Sequence, residues 1–386
     1  MNIILALGFI FGLFLLQRKL SRKFWAKRLD ISLSFSGSAA REGERMQLYE
    51  IVSNRKLLPL PVLRVKFSAS RFLVFDDQNN SQISDQFYRN DILSVLMYQR
   101  ITRTLDFTCS KRGFYTINRI DAVSNDMFLS SSLVQVIPCS LSLSVYPRYL
   151  HTEAFDILFR QMFGTILARR VINEDPFEFR GIREYQPFDS LRSVNFKASA
   201  KTGALKVNQH DYTSSQRVHL LLNLELETIW QYDELLEEAI RLASTLTGEF
   251  IRQGIPVSLE SNGCDLISKK PISIPAGSGP GHTRTIDEAL CRIDTSLRVP
   301  AFLPILNAIL EETTGITGIT GMTGMSEDTL VLISSFQRQD LIEAVRTLLE
   351  EQVPVFWIVP LHDDMEWMIP EELGDCLLRW DVPKLL

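Results

Sequence analysis

The sequence predicts a multidomain chain of the β and α/β classes, with an N-terminal membrane helix, an antiparallel β-sandwich and a doubly wound, mostly parallel sheet. An uncharged apolar run opens the chain at residues 3–16. Apolar and polar residues then alternate in short runs up to residue 148, and strands alternate with amphipathic helices after residue 212. A chain of 386 residues is long enough for two to three domains of roughly 150 residues each.

The N-terminal run indicates a membrane anchor. As a helix, residues 3–16 would be about 21 Å long, which is shorter than the ~30 Å hydrocarbon core of a bilayer. Gln17 and the aliphatic parts of the Arg18 and Lys19 side chains would lengthen the apolar span. Six cations follow the run: Arg18, Lys19, Arg22, Lys23, Lys27 and Arg28. A signal peptide has the reverse charge order, and the positive-inside rule places this flank in the cytoplasm. We therefore predict an anchor and basic flank at residues 1–28, contact with the membrane through residues 3–17, and a single-pass protein whose bulk is cytoplasmic.

Residues 29–148 predict a β-sandwich-like domain. The runs 31–35 and 63–67 alternate with the period of half-buried strands, and further β-like runs lie at 100–107 and 113–121. Turn signals separate these runs and no convincing amphipathic helix interrupts them, which is typical of an antiparallel sandwich. The segment holds no cluster of residues with metal-ligand spacing. A spacer or protein-interaction module is the expected role.

Residues 212–386 predict a sheet covered by helices. The run 217–224 is almost continuously apolar, as in a strand buried on both faces, and residues 232–251 carry an apolar stripe at helical spacing. Further strands are expected at 255–260, 329–334 and 353–359. Strands that alternate with helices imply a parallel sheet with right-handed crossovers.

Residues 149–211 form a helical bridge followed by a dense charged stretch. The stretch contains the runs Arg180-Gly-Ile-Arg-Glu-Tyr185, Asp189-Ser-Leu-Arg192 and Phe196-Lys-Ala-Ser-Ala-Lys-Thr-Gly203. These runs resemble the signature of the domain of unknown function 58 family, although Phe196 replaces a tryptophan and Lys201 an arginine. The resemblance implies a bacterial membrane-anchored protein whose last domain, at residues 212–386, is von Willebrand factor A-like. It also implies association with a MoxR-type AAA+ ATPase.

The charged stretch is the predicted interaction or structural motif. Its residues are Arg180, Gly181, Arg183, Glu184, Tyr185, Asp189, Arg192, Phe196, Lys197, Lys201 and Gly203. Three roles follow from such charges: a structural clasp that pairs them across the junction of the two domains, a docking face for a partner protein, or an anion site. We favour clasp and docking over anion binding.

No catalytic, cofactor-binding or metal-ligating residues are predicted. The resemblance implies a divalent-cation site of the Asp-x-Ser-x-Ser type, but the matching residues are Asn223-Leu-Glu-Leu-Glu227, with longer carboxylates in place of both serines. Mg²⁺ requires near-ideal octahedral oxygen geometry. We therefore predict a degenerate cation site and no cofactor.

The predicted function is an uncharacterised membrane-anchored scaffold or protein-interaction protein, a partner of a MoxR-type AAA+ ATPase, and not an enzyme. A net charge of -5 argues against nucleic-acid binding. The alternative is a hydrolase-type enzyme with an unrecognised active site. Cys264, His282 and Asp287 lie within one loop region and are its candidate thiol–base set, although their spacing matches no known motif. His219 lies in an apolar strand and is interpreted as packed or hydrogen-bonded.

Overall fold

A computed structural model describes residues 2–79, 81–125, 132–172, 179–186, 194–210, 217–226, 232–297, 299–314 and 328–384. The chain divides into two compact units, Met1–Arg148 and Tyr149–Leu386. The first unit consists of one helix followed by strands. The second contains a six-stranded sheet, a small hairpin and six further α-helices among the described residues.

The first helix corrects the membrane prediction. Helix α1 spans Asn2–Phe24, so one continuous helix contains both the apolar run and the cations Arg18, Lys19, Arg22 and Lys23. Among the described residues no helix is long and apolar enough to cross a membrane. The physical reason is that the uncharged part is shorter than the bilayer core and charge begins immediately after it. The N-terminal membrane helix and the single-pass membrane location with a cytoplasmic bulk are therefore wrong predictions, and this helix gives no support to the predicted contact of residues 3–17 with a membrane.

The first unit is built from two sheets. Its strands are β1 (Leu29–Phe35), β2 (Ala39–Arg41), β3 (Arg45–Asn54), β4 (Leu60–Ser70), β5 (Leu73–Phe75), β6 (Ser81–Ile83), β7 (Gln86–Val95), β8 (Arg100–Cys109), β9 (Gly113–Asn125) and β10 (Ser132–Tyr146). One sheet has the order β1-β3-β8-β5 and the other β2-β10-β9-β4-β7-β6. The pairs are antiparallel except β10 with β2. Inward side chains such as Leu48, Val65 and Phe107 form one buried apolar cluster.

Charged side chains interrupt this apolar core. Arg89 donates to the Asp91 carboxylate at 2.6 Å and to the Asp77 carboxylate at 2.9 Å. A second cation, Arg103, lies 2.9 Å from the other carboxylate oxygen of Asp91. Glu50 is fully buried and faces Arg103 across the β3–β8 pair. Two cations thus balance Asp77 and Asp91, and Glu50 is the additional acid.

The balance of charges determines the protonation of Glu50. Burial raises the pKa of Glu50 to about 7, and the neighbouring Asp91 carboxylate adds to this increase. The Arg103 guanidinium lowers the pKa, but its effect is smaller than these two. A protonated Glu50 can donate to Asp91. Because the folded pKa lies above the unfolded value of 4.5, the contribution of Glu50 to stability is complete below about pH 4.5 and is lost as the pH rises to about 7.

We predict that Glu50→Gln makes the first unit more stable at pH 8, by a free energy of unfolding on the order of 2–3 kcal/mol, and changes it little at pH 4.5. The amide keeps the shape of the protonated acid without its ionisation. Amide hydrogen exchange of β3, β7 and β8, compared between wild type and variant at each pH, measures the difference. An equal effect of the substitution at both pH values would contradict this account.

The second unit holds a six-stranded sheet of order β15-β14-β13-β16-β17-β18. Its strands are β13 (Val218–Leu222), β14 (Val257–Cys264), β15 (Pro271–Gly277), β16 (Thr329–Ile333), β17 (Val355–Leu361) and β18 (Leu377–Asp381). Its helices are α2 (Glu153–Ile172), α4 (Asp233–Arg252), α5 (Pro280–Cys291), α6 (Leu303–Thr314) and α7 (Gln339–Glu350), with a 3-10 helix at Glu371–Cys376. Only the β14–β15 pair is antiparallel among these strands.

Both faces of this sheet are buried. Leu220 and Leu222 pack in a cluster with side chains of α2, α4 and α5, whereas Leu221 packs in a separate cluster with side chains of α6 and α7. Successive residues of a strand point to opposite faces, so β13 needs apolar residues at consecutive positions. The central strand therefore contributes to both cores.

A small hairpin completes the second unit. Strand β11 (Phe179–Glu184) pairs antiparallel with β12 (Lys206–His210), and the short helix α3 (Phe196–Thr202) lies between them in sequence. Val194 forms an isolated bridge to Val207 of β12. This hairpin carries most of the predicted interaction motif.

Candidate functional site

The structure distributes the predicted motif over the hairpin and its helix. Arg180, Gly181, Arg183 and Glu184 lie in β11, with Tyr185 directly after it; the side chain of Arg180 is not among those described. Phe196, Lys197 and Lys201 lie in α3, and Gly203 ends that helix. Asp189 and Arg192 fall outside the described residues.

Local hydrogen bonds explain why this sequence forms α3. Asn195 caps the helix, because its side-chain oxygen accepts from the N–H of Ala198 at 2.9 Å. Gly203 ends it with a φ of 69°, a left-handed conformation that favours glycine, and its N–H donates to Ser199. The Ser199 hydroxyl also accepts from the N–H of Lys206 at 2.8 Å. These bonds hold α3 against β12.

The motif's charges are partly paired. Lys206 lies 3.2 Å from the Glu184 carboxylate, and Arg183 donates to the Glu184 carbonyl at 3.1 Å. Lys197 and Lys201, four residues apart on α3, make no hydrogen bond or ion pair with the described residues and are exposed. The charges that pair do so within the hairpin, and the two lysines of α3 are exposed.

Exposed apolar side chains accompany these lysines. Phe196 is 75% exposed, and no residue of α3 is buried. Leu205, directly before β12, is 51% exposed. We call Phe196, Lys197, Lys201 and Leu205 the α3 surface. It combines apolar side chains with cations.

A second group of polar residues lies where β13, β14 and β16 end. Asn223 donates to the Ser334 hydroxyl at 3.0 Å and accepts from the Asn262 amide at 2.9 Å. Asn262 also accepts from the N–H of Leu224 and donates to the Pro300 carbonyl. Every one of these side chains is buried. The arrangement is a closed network of neutral groups that bond to one another.

The network occupies the place of the predicted degenerate cation site. Glu225 accepts from the N–H of Phe302 at 2.9 Å, while Glu227 lies outside the described residues. No group of three or more His, Cys, Asp or Glu residues that could hold a metal ion occurs in the described part of the chain. Neutral amides that already bond to each other supply weak ligands for a hard cation such as Mg²⁺.

We predict that Asn262→Ala lowers the free energy of unfolding of the second unit by about 1–3 kcal/mol, because the buried N–H of Leu224 loses its acceptor. Asn307→Ala, at an exposed position on α6, is the matched control and changes stability little. Denaturant titration followed by amide exchange in β13 and β14 measures both variants. Equal stability of the two would show that the network contributes nothing.

The residues of the enzyme alternative bond to separate groups. The His282 ring bonds to the Val257 carbonyl at 2.7 Å, and the Asp287 carboxylate accepts from Ser244 at 2.6 Å. Cys264 lies 4.0 Å from the Asn262 carbonyl. The His282 ring also fills the space beside Gly277, where a Cβ atom would lie 2.5 Å from it. These contacts are structural ones.

A different set joins serine, histidine and aspartate. Ser258 Oγ lies 2.7 Å from His219 Nδ1, and His219 Nε2 lies 3.1 Å from the Asp328 carboxylate. Asp328 also accepts from the N–H of Arg217 at 3.0 Å. The sequence analysis missed this set. The available signal was a polar residue at the start of each of three apolar strands, since His219 and Ser258 are second in β13 and β14, and Asp328 precedes β16.

Comparison with known proteins yields distant similarity only. No family model matches the chain and no curated protein matches it. A CARDB domain from Pyrococcus furiosus, solved with di-metal ions, is 16% identical with a TM-score of 0.20, covering 31% of this chain and 90% of its own. A cohesin from Archaeoglobus fulgidus is 14% identical with a TM-score of 0.23, over 30% and 91% of the two chains.

A third similar structure is a type I cohesin–dockerin complex from Clostridium thermocellum. It is 10% identical with a TM-score of 0.21, over 29% of this chain and 98% of its own. Protein–protein interaction domains are thus among the solved structures similar to this chain. The predicted fold class is corrected in its N-terminal membrane helix, because no described helix is long and apolar enough to cross a membrane. Neither a family model nor a curated protein supports the von Willebrand factor A-like part, which is corrected to a six-stranded, mostly parallel sheet with helices on both faces. The resemblance to the domain of unknown function 58 family stays a prediction.

Proposed function

We propose that this protein is a non-enzymatic scaffold that binds a partner protein through the α3 surface. The observation that carries the proposal is Phe196, whose aromatic ring is 75% exposed on a helix without buried residues. Exposed apolar side chains that cluster, rather than occur singly, are typical of interaction sites. Leu205, directly before β12, adds a second exposed apolar side chain.

The charges of the α3 surface indicate the chemistry of the partner. Lys197 and Lys201 lie on the same side of α3 next to Phe196, and neither makes an ion pair with the described residues. A complementary partner surface would offer an apolar pocket for the ring and carboxylates for the lysines. Aromatic anchors beside complementary charges dominate the energy of many protein–protein interfaces.

The identity of the partner is the finer part of the proposal. The resemblance of the motif to the domain of unknown function 58 signature supports a MoxR-type AAA+ ATPase. Hydrogen bonds through Asn195, Ser199 and Gly203 fix α3 on β12, so the surface is preorganised for docking. Such an ATPase would grip the chain at α3.

We predict that Phe196→Ala weakens binding of a purified MoxR-type ATPase at least 10-fold, because the aromatic anchor is lost. Ile267→Ala, at a 63% exposed apolar position outside the α3 surface, is the matched control and leaves the affinity unchanged. Biolayer interferometry with the full chain gives both dissociation constants. Equal weakening by the two substitutions, or no binding by wild type, would overturn the proposal.

A second candidate function, a hydrolase, is favoured by the Ser258–His219–Asp328 set. A serine hydrogen-bonded to a histidine that an aspartate orients can activate a nucleophile in acyl transfer. Here the serine contacts Nδ1 and the aspartate contacts Nε2, which is the reverse of the Ser-His-Asp triad. Ser258 is only 5% exposed, however, and a substrate must reach its hydroxyl. Burial therefore ranks this function below the scaffold, in which the same set links three strands.

The scaffold function predicts that a fluorophosphonate probe does not label Ser258 in the intact chain, since its hydroxyl is enclosed. Ser334→Ala, which removes a buried serine hydrogen-bonded to Asn223, is the control. Mass spectrometry after incubation reads the modified residue. Labelling of Ser258 that persists in Ser334→Ala and disappears in His219→Asn would establish the hydrolase instead.

A further inference from the structure

A depression of about 550 Å³ lies in the first unit, where the end of α1 meets the loop between β3 and β4. This volume is within the range of roughly 300–1,000 Å³ that is usual for small-molecule sites. The residues that line the depression are Phe24, Lys27, Arg28, Lys56, Leu57, Leu58 and Pro59. The described lining therefore combines apolar groups with three cations and contains no acidic residue.

Contacts between the end of α1 and this loop hold the walls of the depression in place. Trp25 is buried in the apolar cluster that the two sheets of the first unit share. The N–H of Arg55 donates to the Arg28 carbonyl at 3.0 Å, and the Lys56 ammonium donates to the Trp25 carbonyl. The depression is thus formed before any ligand arrives, which reduces the entropy cost of binding.

The cations of the depression have no acidic partners among the described residues. Lys27 and Arg28 are exposed and make no ion pair with them, and the Lys27 ammonium lies 5.7 Å from the centre of the Phe24 ring. Lys56 is only 8% exposed, also lacks an ion pair in the described part of the chain, and has a pKa that burial lowers to about 8. An ammonium buried without a counter-charge attracts an anion at the neighbouring exposed cations even without contact.

The surrounding sequence adds to this positive field. Residues 18–28 contain six cations and no acid. The acid that follows them, Asp30, lies 3.8 Å from Arg55, and both side chains are largely exposed. Charges of one sign along a concave surface raise the local concentration of ligands of the opposite sign. The exposed cations at the depression therefore favour an anionic group.

Apolar side chains are exposed at the depression and on the loop next to it. Leu57 is 70% exposed, and between β7 and β8 the exposed residues are Leu96 (60%), Met97 (55%) and Tyr98 (64%). The side-chain amide of Asn54 joins the two loops, because it donates to one carbonyl of each. Exposed apolar side chains that cluster in this way are typical of binding surfaces. They favour a ligand that has an apolar part as well as a charge.

We propose that the depression binds a single-chain amphiphile with an anionic headgroup, of the alkyl phosphate or fatty acid type. The headgroup accepts hydrogen bonds from Lys27 and Arg28, while the alkyl chain packs on Phe24 and Leu57. A small anion without a chain would leave the apolar wall in water. A neutral apolar molecule would leave the cations without a counter-charge. The concave shape favours such a small ligand over an extended macromolecular surface.

The test titrates the full chain by calorimetry with decyl phosphate below its critical micelle concentration. Inorganic phosphate, which keeps the charge alone, and decanol, which keeps the chain alone, are the comparison ligands. We expect saturable binding of decyl phosphate and affinities roughly 10-fold or more weaker for both comparison ligands. Arg28→Gln removes a donor to the headgroup and Leu57→Ser removes a contact of the chain, so each weakens decyl phosphate binding on the order of 10-fold.

The matched controls are Lys66→Gln and Ile83→Ser, which change an exposed cation and an exposed apolar residue of the first unit outside the lining. We expect both to retain binding. The absence of saturable binding, comparison ligands that bind as tightly as decyl phosphate, or equal weakening by variants and controls would overturn the proposal. Binding of phosphatidylglycerol vesicles or of an acidic peptide without binding of monomeric decyl phosphate would also overturn it, in favour of a macromolecular partner.

This inference is independent of the scaffold proposal. The depression lies in the first unit and the α3 surface in the second. Loss of amphiphile binding in Arg28→Gln therefore leaves binding of the ATPase unchanged, and Phe196→Ala leaves amphiphile binding unchanged. Failure of one proposal can be distinguished from failure of the other.

Discussion

The second unit depends on the burial of β13 on both faces and along both edges. A strand in this position must be apolar at consecutive residues, and Leu220 to Leu222 meet that requirement. Polar side chains can then occur only at its ends. His219 at the start and Asn223 at the end are those positions, and each recruits partners from the two flanking strands. Both polar networks of the sheet are consequences of this one constraint.

The first unit differs from the second in that its core contains charged side chains as well as apolar ones. Arg89, Asp91 and Glu50 replace apolar residues within the core, and Arg103 and Asp77 neutralise them at the border. Breaking one partner of such a set is costly, because the remaining charge stays buried. The Arg103–Asp91 ion pair links β8 of one sheet to β7 of the other, so the network joins the two sheets of this unit.

Sequence periodicity located individual elements well and their partners poorly. The alternating runs at 100–107 and 113–121 fall within β8 and β9, and the helical stripe at 232–251 falls on α4. Periodicity carries no information about which distant strands pair or in what register. The contacts of Asn262 with Asn223 and of Ser258 with His219 were therefore invisible. The membrane-anchor prediction was wrong for a related reason. Hydropathy identified the apolar run, but it did not show that α1 continues beyond this run through Arg18, Lys19, Arg22 and Lys23.

The two units differ in how well the buried polar groups of their strands are satisfied. In the sheet of the second unit, Asn223, Asn262 and Ser334 bond to one another and to neighbouring backbone groups, so they stabilise the fold. On the outer sheet of the first unit, the Oδ1 atoms of Asn90 and Asp121 are buried and have no partner among the described residues. A buried acceptor without a donor costs about 1–3 kcal/mol, so these two positions reduce the stability of the first unit, whereas the network of the second unit adds to it.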